Sequence, residues 1–331
     1  MNARYLGALL AAALPLLAAG AADEPKDKAK KPIETFTDAA KAGPDYPIQG
    51  EYVGESPNLG KVAIQVIAEG DGKFTLRVLP GGLPGDGWDG RRQVKFAAET
   101  KDGTVSFTGD RGQGTIANGK FTGMTPNGDA VVLNRVERHS PTEGAKPPAG
   151  AIVLFDGTNA DAWEKGQLVE GNLLKCGTTS KQKFTDYTLH AEFRLPFMPR
   201  ARGQARANSG VYNQGRYEVQ VLDSFGLEGK DNECGAIYEL SAPLVNVCYP
   251  PLQWQTYDID YTAPRFDADG KKTKGAVITV KHNGVLVQDH FEVKGATRAA
   301  PVKEGPEPGP IYLQDHGNPV MYRNIWLVEK K

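Results

Sequence analysis

Asn208, Glu218, Gln220, Asp223, Gln314, His316 and Arg323 stand in stretches otherwise rich in Val, Ile, Leu and Tyr. A half-buried strand shows water its polar residues and the core its apolar ones, so alternation alone accounts for some of this pattern. Amide, carboxyl, imidazole and guanidinium groups in one place would also move a proton, bond hydroxyls and neutralise a developing negative charge. The two-residue period along residues 217–223 puts Glu218, Gln220 and Leu222 on one face, and Tyr217, Val219 and Val221 on the other. The same period groups Tyr312, Gln314 and His316 against Ile311, Leu313 and Asp315. If the apolar sets face a core and the strand is an inner one, the polar sets share the hollow side of one sheet.

His316 is the leading candidate for a general base, because a histidine's intrinsic pKa of about 6.5 leaves neutral imidazole abundant near neutral pH. It could equally satisfy backbone groups in the turn at His316-Gly317. Glu218 is the alternative base, or a partner that holds Arg323. Arg323 could stabilise an anion as a fixed cation, or tie down a carboxylate. Asp223 could orient His316, protonate a departing oxygen if its pKa is raised, or cap the following turn. Asn208, Gln220, Tyr238 and Gln314 are candidates for bonding a substrate, with turn formation for Asn208 and strand packing for Tyr238 as the plainer roles.

The elements that must position these groups are strands. Apolar runs at 62–67, 74–79, 94–97, 105–108 and 131–136 are separated by turn residues such as Gly70-Asp71-Gly72, Asp102-Gly103 and Asn127-Gly128. This predicts a small antiparallel β domain over residues 49–139. The Pro- and Gly-dense stretch SPTEGAKPPAG at 140–150 reads as a linker. Beyond it, over 151–331, runs at 152–155, 187–195, 217–222, 254–261, 276–281, 285–291, 311–313 and 325–328 predict a two-sheet sandwich or jelly roll. Asn283-Gly284 is the clearest hairpin signal, suited to a type I′ turn.

Before these domains, residues 1–22 read as an export signal: Arg4, a short apolar run from Leu6 to Ala19, and small residues at 19–22 for cleavage. The run is shorter than the roughly 20 apolar residues that span a bilayer, and Pro15 interrupts it. A secreted or periplasmic location follows, with no membrane span after cleavage. Residues 23–48 read as a disordered leader, on the strength of a charged, apolar-poor start. With 39 Lys plus Arg against 40 Asp plus Glu, the chain has no basic field for a nucleic-acid partner. Oligomeric state is not written in the sequence.

Other chemistries lack their motifs. The loop GGLPGDGWDG at 81–90 has neither the Lys-Ser/Thr ending of a P-loop nor a strand-to-helix context, and its Trp88 could stack on a sugar or pin the loop. Asp267 and Asp269 lack the rest of a calcium loop, and a solvated hairpin tip accounts for them. No nucleophile elbow is present. The three cysteines, Cys176, Cys234 and Cys248, lack zinc spacing; Cys234 and Cys248 could bridge, or all could be small buried residues. No cofactor is expected, and no metal site is assigned.

The region after the linker resembles the 3-keto-disaccharide hydrolase domain family. The likeness rests on LFDGTNADAW at 154–163, EFRL at 192–195, NSGVY at 208–212, YEVQVLD at 217–223, GAIYEL at 235–240, IYLQDHG at 311–317 and RNIWL at 323–327. Ordered motifs across about half a chain are more specific than one short match. Two residues depart from the family pattern, Gln214 where Arg is common and Gln255 where Asn is usual, and either could retune substrate contacts. Glu192 belongs to the pattern, but its face is not legible.

The resemblance implies a concanavalin-like jelly roll whose curved face binds carbohydrate, and cleavage of glycosides oxidised to a ketone at carbon 3. Such a ketone acidifies the proton on carbon 2, so a base can form an enolate that expels the carbon 1 substituent, after which water adds. The expected substrate is a small carbohydrate, oxidised elsewhere because no nicotinamide motif is present. The competing function is a lectin-like module that binds sugar without turnover. A retaining glycosidase is a third reading, requiring two carboxylates about 5 to 5.5 Å apart, for which Glu218 and Asp223 would have to share a cleft.

Overall fold

Alternating sequence becomes strand almost throughout the computed structural model, which describes residues 33–331 apart from 59, 110 and 111. The export signal at 1–22 and the leader as far as residue 32 lie outside the described residues. Strands Gly50–Ser56, Gly60–Gly70, Lys73–Pro80, Val94–Lys101, Thr104–Gly109, Gly112–Ala117, Lys120–Met124 and Ala130–Val136 pair antiparallel in chain order. The first also pairs with the last, Glu51 opposite Val136, which closes a barrel. Its interior is packed with Tyr52, Val66, Phe74, Leu76 and Leu133. Closure leaves no open edge.

From Ile33 the leader is held in place, contrary to the disorder expected across 23–48. The backbone of Phe36 bonds Phe197 in both directions, at 3.0 and 2.8 Å, and Tyr46 and Ile48 pack on the barrel core. The apolar-poor composition behind that expectation stops short of these large side chains.

Barrel and sandwich belong to one compact unit, residues 33–331. Arg138 joins them by donating to Glu51 at 2.6 Å while its guanidinium lies 4.8 Å from the ring of Tyr249. Arg77 donates to the Leu227 carbonyl at 3.3 Å, and Gln93 to Glu228 at 2.9 Å. Trp88 pins its glycine-rich loop, donating to the Arg92 carbonyl at 2.7 Å under the Arg77 guanidinium.

The remaining strands form two sheets with a shared apolar core. The smaller has the order Trp163–Glu164, Thr178–Phe184, Gly309–Leu313, Ser209–Asn213, Tyr217–Val221. The larger centres on Met321–Glu329, Tyr187–Arg194, Trp254–Thr262, Ala276–His282 and Val285–Val293. Phe193, Val211, Val219, Tyr257, Ile311 and Ile325 fill the space between. Asn283 and Gly284 make the expected hairpin with φ of 51° and 77°, the left-handed pair a type I′ turn requires. Cys176, Cys234 and Cys248 are buried free thiols, so the Cys234–Cys248 bridge is absent.

Residues 140–150 do not run free between domains. Thr142 donates to Asp258 at 2.7 Å, the Gly144 amide to Glu192 at 2.6 Å, and Arg323 to Glu143 at 2.9 Å, which straps this segment to the outer face of the larger sheet.

Candidate active site

On Tyr217–Val221 the alternation resolves as expected: Tyr217, Val219 and Val221 enter the inter-sheet core, and Glu218 and Gln220 point to the other face. The strand is nevertheless at the edge of its sheet, not inside it. Residues 235–238 cover that edge through Gln220 N–H to the Ala236 carbonyl (2.9 Å) and Tyr238 N–H to the Glu218 carbonyl (3.2 Å). Leu222 falls beyond the strand end and joins the core, so the period does not carry it to the Glu218 face.

A cleft of about 260 Å³ opens over this face, lined by Gln204, Asn208, Tyr212, Glu218, Gln220, Tyr238, Arg298, Ala299, Gln314 and His316. His316, Glu218, Asn208, Gln220, Tyr238 and Gln314 thus converge from motifs far apart in the chain. Asp223 and Arg323 do not reach it.

Glu218 is the perturbed acid of the cleft. Burial pushes its carboxyl up to about 8, a rise that the hydrogen bond from Tyr212 opposes and the charge of Glu239 reinforces. Tyr212 donates to Glu218 Oε2 at 2.7 Å and accepts from Gln314 Nε2 at 3.2 Å. The carboxyl also lies against Gly210, where a Cβ would stand 2.2 Å from Oε1. The glycine of NSG therefore supplies space for an acid, rather than a turn.

A second chain of bonds fixes the amides. Asn208 Nδ2 donates to the Gln204 carbonyl at 3.0 Å, and Gln220 Nε2 donates to Gln204 Oε1 at 3.0 Å. Asn208 Oδ1 and Gln314 Oε1 are left buried without partners. Two orphan acceptors beside one acid are what a site waiting for hydroxyl donors leaves behind. Asn208, just ahead of the strand Ser209–Asn213 and outside any turn, is consequently a lining residue.

His316 is exposed just past the end of Gly309–Leu313 and, among the described residues, has no hydrogen-bond partner. The turn there is closed instead by Gly317 N–H to Asp315 Oδ1 at 2.8 Å, so the backbone-satisfying role falls to Asp315.

Asp223 is spent elsewhere. Its Oδ2 accepts from Arg206 at 2.9 Å and its Oδ1 from the Phe225 amide at 3.2 Å, so it neither orients His316 nor faces the cleft. Arg323 lies on the outer face of the larger sheet, bonded to Glu192 at 2.6 Å, with its guanidinium 3.9 Å from the Trp254 ring. The bulge between His190 and Glu192, opposite Arg323, belongs to that other sheet, and no strand period could reveal the separation. Burial alone would raise the Glu192 carboxyl, but His190, Asn324, Arg323 and the Gly144 amide hold it at about 2.

Gln214 and Gln255 do not touch the cleft. Gln214 is buried between Phe184, Arg216 and Tyr261, and Gln255 between Tyr249 and His282. Their departures from the family pattern are absorbed inside the fold.

Tyr212, Gln204, Arg298 and Ala299 are the lining residues that the sequence did not disclose as such. Tyr212 was within reach, since a hairpin turning at Gln214-Gly215 pairs it with Glu218. Arg298, paired with Glu239 at 3.2 Å, arrives from a loop with no periodic signal. Among the described residues no three His, Cys, Asp or Glu side chains gather in a metal-binding group.

Residues 150–328 match the profile of the 3-keto-alpha-glucoside-1,2-lyase-like domain. A solved structure of a candidate glycosyl hydrolase from Parabacteroides distasonis is 36% identical, over 55% of this chain and 85% of that one, with a TM-score of 0.50. Another from the same organism is 18% identical over 55% of this chain and 94% of that one, with a TM-score of 0.41. No curated protein matches. Among the described residues, no helix is long and apolar enough to cross a membrane.

Proposed function

This chain belongs to the family of 3-keto-alpha-glucoside-1,2-lyase-like domains, and from that premise we propose that it is an exported enzyme that cleaves 3-keto-glycosides by elimination across carbons 1 and 2, followed by hydration. That it is a carbohydrate-active, glycoside-cleaving protein is common ground with its relatives. The finer reading rests on one observation: among the described residues Glu218 is the single carboxylate lining the cleft, and it shares that lining with His316.

Ordinary retaining hydrolysis needs two carboxylates about 5 to 5.5 Å apart across the bond. With Asp223 bound to Arg206, the cleft does not supply them. An acid and an imidazole suit a proton-transfer reaction better. Below a pKa of about 8, Glu218 carries a proton, so it serves as the acid and His316 as the base.

His316 takes the proton from carbon 2, whose electrons move into the enolate of the 3-ketone. The enolate then forms the carbon 1 to carbon 2 double bond and expels the glycosidic oxygen, which receives the Glu218 proton. Arg298 at the cleft edge replaces Arg323 as the cation for the enolate. Asn208 and Gln314 accept from sugar hydroxyls through their orphan oxygens. Water adds across the double bond in the final step.

The test is turnover of a 3-keto-glucoside by the purified protein, with the unsaturated sugar trapped as intermediate. Sugar binding without turnover would leave the lectin-like reading in its place. Cleavage of unoxidised glycosides at a similar rate would remove the elimination mechanism.

A further inference from the structure

The two ends of the barrel differ in what covers them. At the turns between Gly70 and Lys73 and between Lys101 and Thr104, the leader segment covers the end with Phe36, Tyr46 and Ile48 packed on the core, and a cavity of about 540 Å³ with charged Glu34, Asp45, Asp71 and Arg200 in its lining lies between leader and turns. At the opposite end a cavity of about 650 Å³ enters the barrel between the turns at Asn58 and Pro126. Its size falls within the roughly 300–1,000 Å³ of small-molecule sites.

Glycines make room at this end for an aromatic wall. Ile116 and Phe121 face inward, so alternation places Gly112, Gly114 and Gly123 inward as well, and these positions supply no side chain. The rings of Phe107 and Phe121 lie where side chains at Gly114 and Gly123 would stand, within 2.7 and 2.9 Å of the missing Cβ atoms. Phe96, Phe107 and Phe121 make a continuous aromatic wall, with centroids 5.0 and 5.8 Å apart. Phe96 remains partly exposed inside a closed barrel, whereas Tyr52, Val66 and Leu76 deeper in have no exposure.

The mouth sets the charge of the occupant. Its carboxylate, Asp129, accepts from Asn58 at 2.6 Å and Thr125 at 3.3 Å, and among the described residues no Lys or Arg lines the cavity. A fatty acid or other anion would meet the Asp129 carboxylate with no counter-charge among the described lining residues. Small closed barrels commonly hold one apolar ligand in such a mouth.

We propose that the open end of the barrel binds one uncharged aromatic or alkyl molecule, against Phe96, Phe107 and Phe121, at a site separate from the sugar cleft. The probe is N-phenyl-1-naphthylamine, titrated into the full chain and followed by fluorescence. The expected result is saturable enhancement at one probe per chain. 1-Decanol should displace the probe at least tenfold more effectively than decanoate, and Asp129→Asn should narrow that gap severalfold. Val78→Trp and Val131→Trp, from opposite walls, should each weaken binding at least tenfold while circular dichroism stays native. Glu218→Gln should leave probe affinity unchanged. Unsaturable enhancement, displacement by decanoate as effective as by decanol, or loss of binding in Glu218→Gln would each overturn the proposal, and the first two need no variant to fold.

Discussion

Tyr212 and Glu218 face one another across adjacent antiparallel strands, and the Tyr212 hydroxyl donates to the Glu218 carboxyl at 2.7 Å. That bond joins a buried acid to the amide of Gln314 and makes the hairpin between 213 and 217 the frame of the cleft. It is also a control on proton affinity, because it lowers a pKa that burial raises.

Activity should therefore fall as pH rises through about 8, where Glu218 loses the proton that the leaving oxygen needs. Glu218→Gln should lose about 10²- to 10⁴-fold in kcat and abolish this basic limb. A pH profile of kcat for both proteins checks it, and an unchanged basic limb in the variant would assign that limb to another group.

Removing the tyrosine hydroxyl takes away the one bond that stabilises the Glu218 carboxylate. In Tyr212→Phe the basic limb should move above the wild-type position, with slower turnover because Gln314 Nε2 loses its acceptor. A limb that stays put, measured by the same pH series, would show that Tyr212 only packs.

Glu218 should weaken the fold above acidic pH. Its folded value of about 8 exceeds the usual 4.5, so the folded chain keeps a proton that the unfolded chain releases, and stability declines as pH rises between those values. Glu218→Gln should accordingly be more stable than wild type at pH 7, by up to about 3 kcal/mol. Thermal melts at pH 5 and pH 7 check it: the gap should widen at the higher pH.

Gly210→Ala places a Cβ 2.2 Å from Glu218 Oε1 and must drive the carboxyl from its position. Turnover should drop at least tenfold while secondary structure by circular dichroism is retained. Wild-type rates in this variant would mean that the carboxyl position is not critical.

Arg323 and Glu192 predict the opposite separation. Glu192→Ala leaves Arg323 and His190 without the carboxylate between them, at a cost of about 3 kcal/mol. Denaturant melts should show that loss, with KM for the sugar unchanged because neither residue lines the cleft. A raised KM would return Arg323 to the site.

By itself the sequence determined the all-β class, the Asn283-Gly284 hairpin and the facing of Glu218 and Gln220, because these follow from the two-residue strand period and from turn residues that fix local backbone angles. It also carried the motifs of the family. The strands missed in the barrel, among them GQGTIA and KFTGM, have glycine where an apolar residue would have marked them. Tertiary structure alone decided which sheet each polar residue served. Arg323 and His316 lie seven positions apart in the sequence, yet Arg323 is on the larger sheet and His316 in the bend past the end of a strand of the smaller one, since pairing between distant strands is chosen by burial of whole faces and leaves no periodic trace in either segment. The same holds for the pKa of Glu218, which is raised by burial that only the folded chain provides and is modulated by Tyr212 and Glu239, residues from different segments.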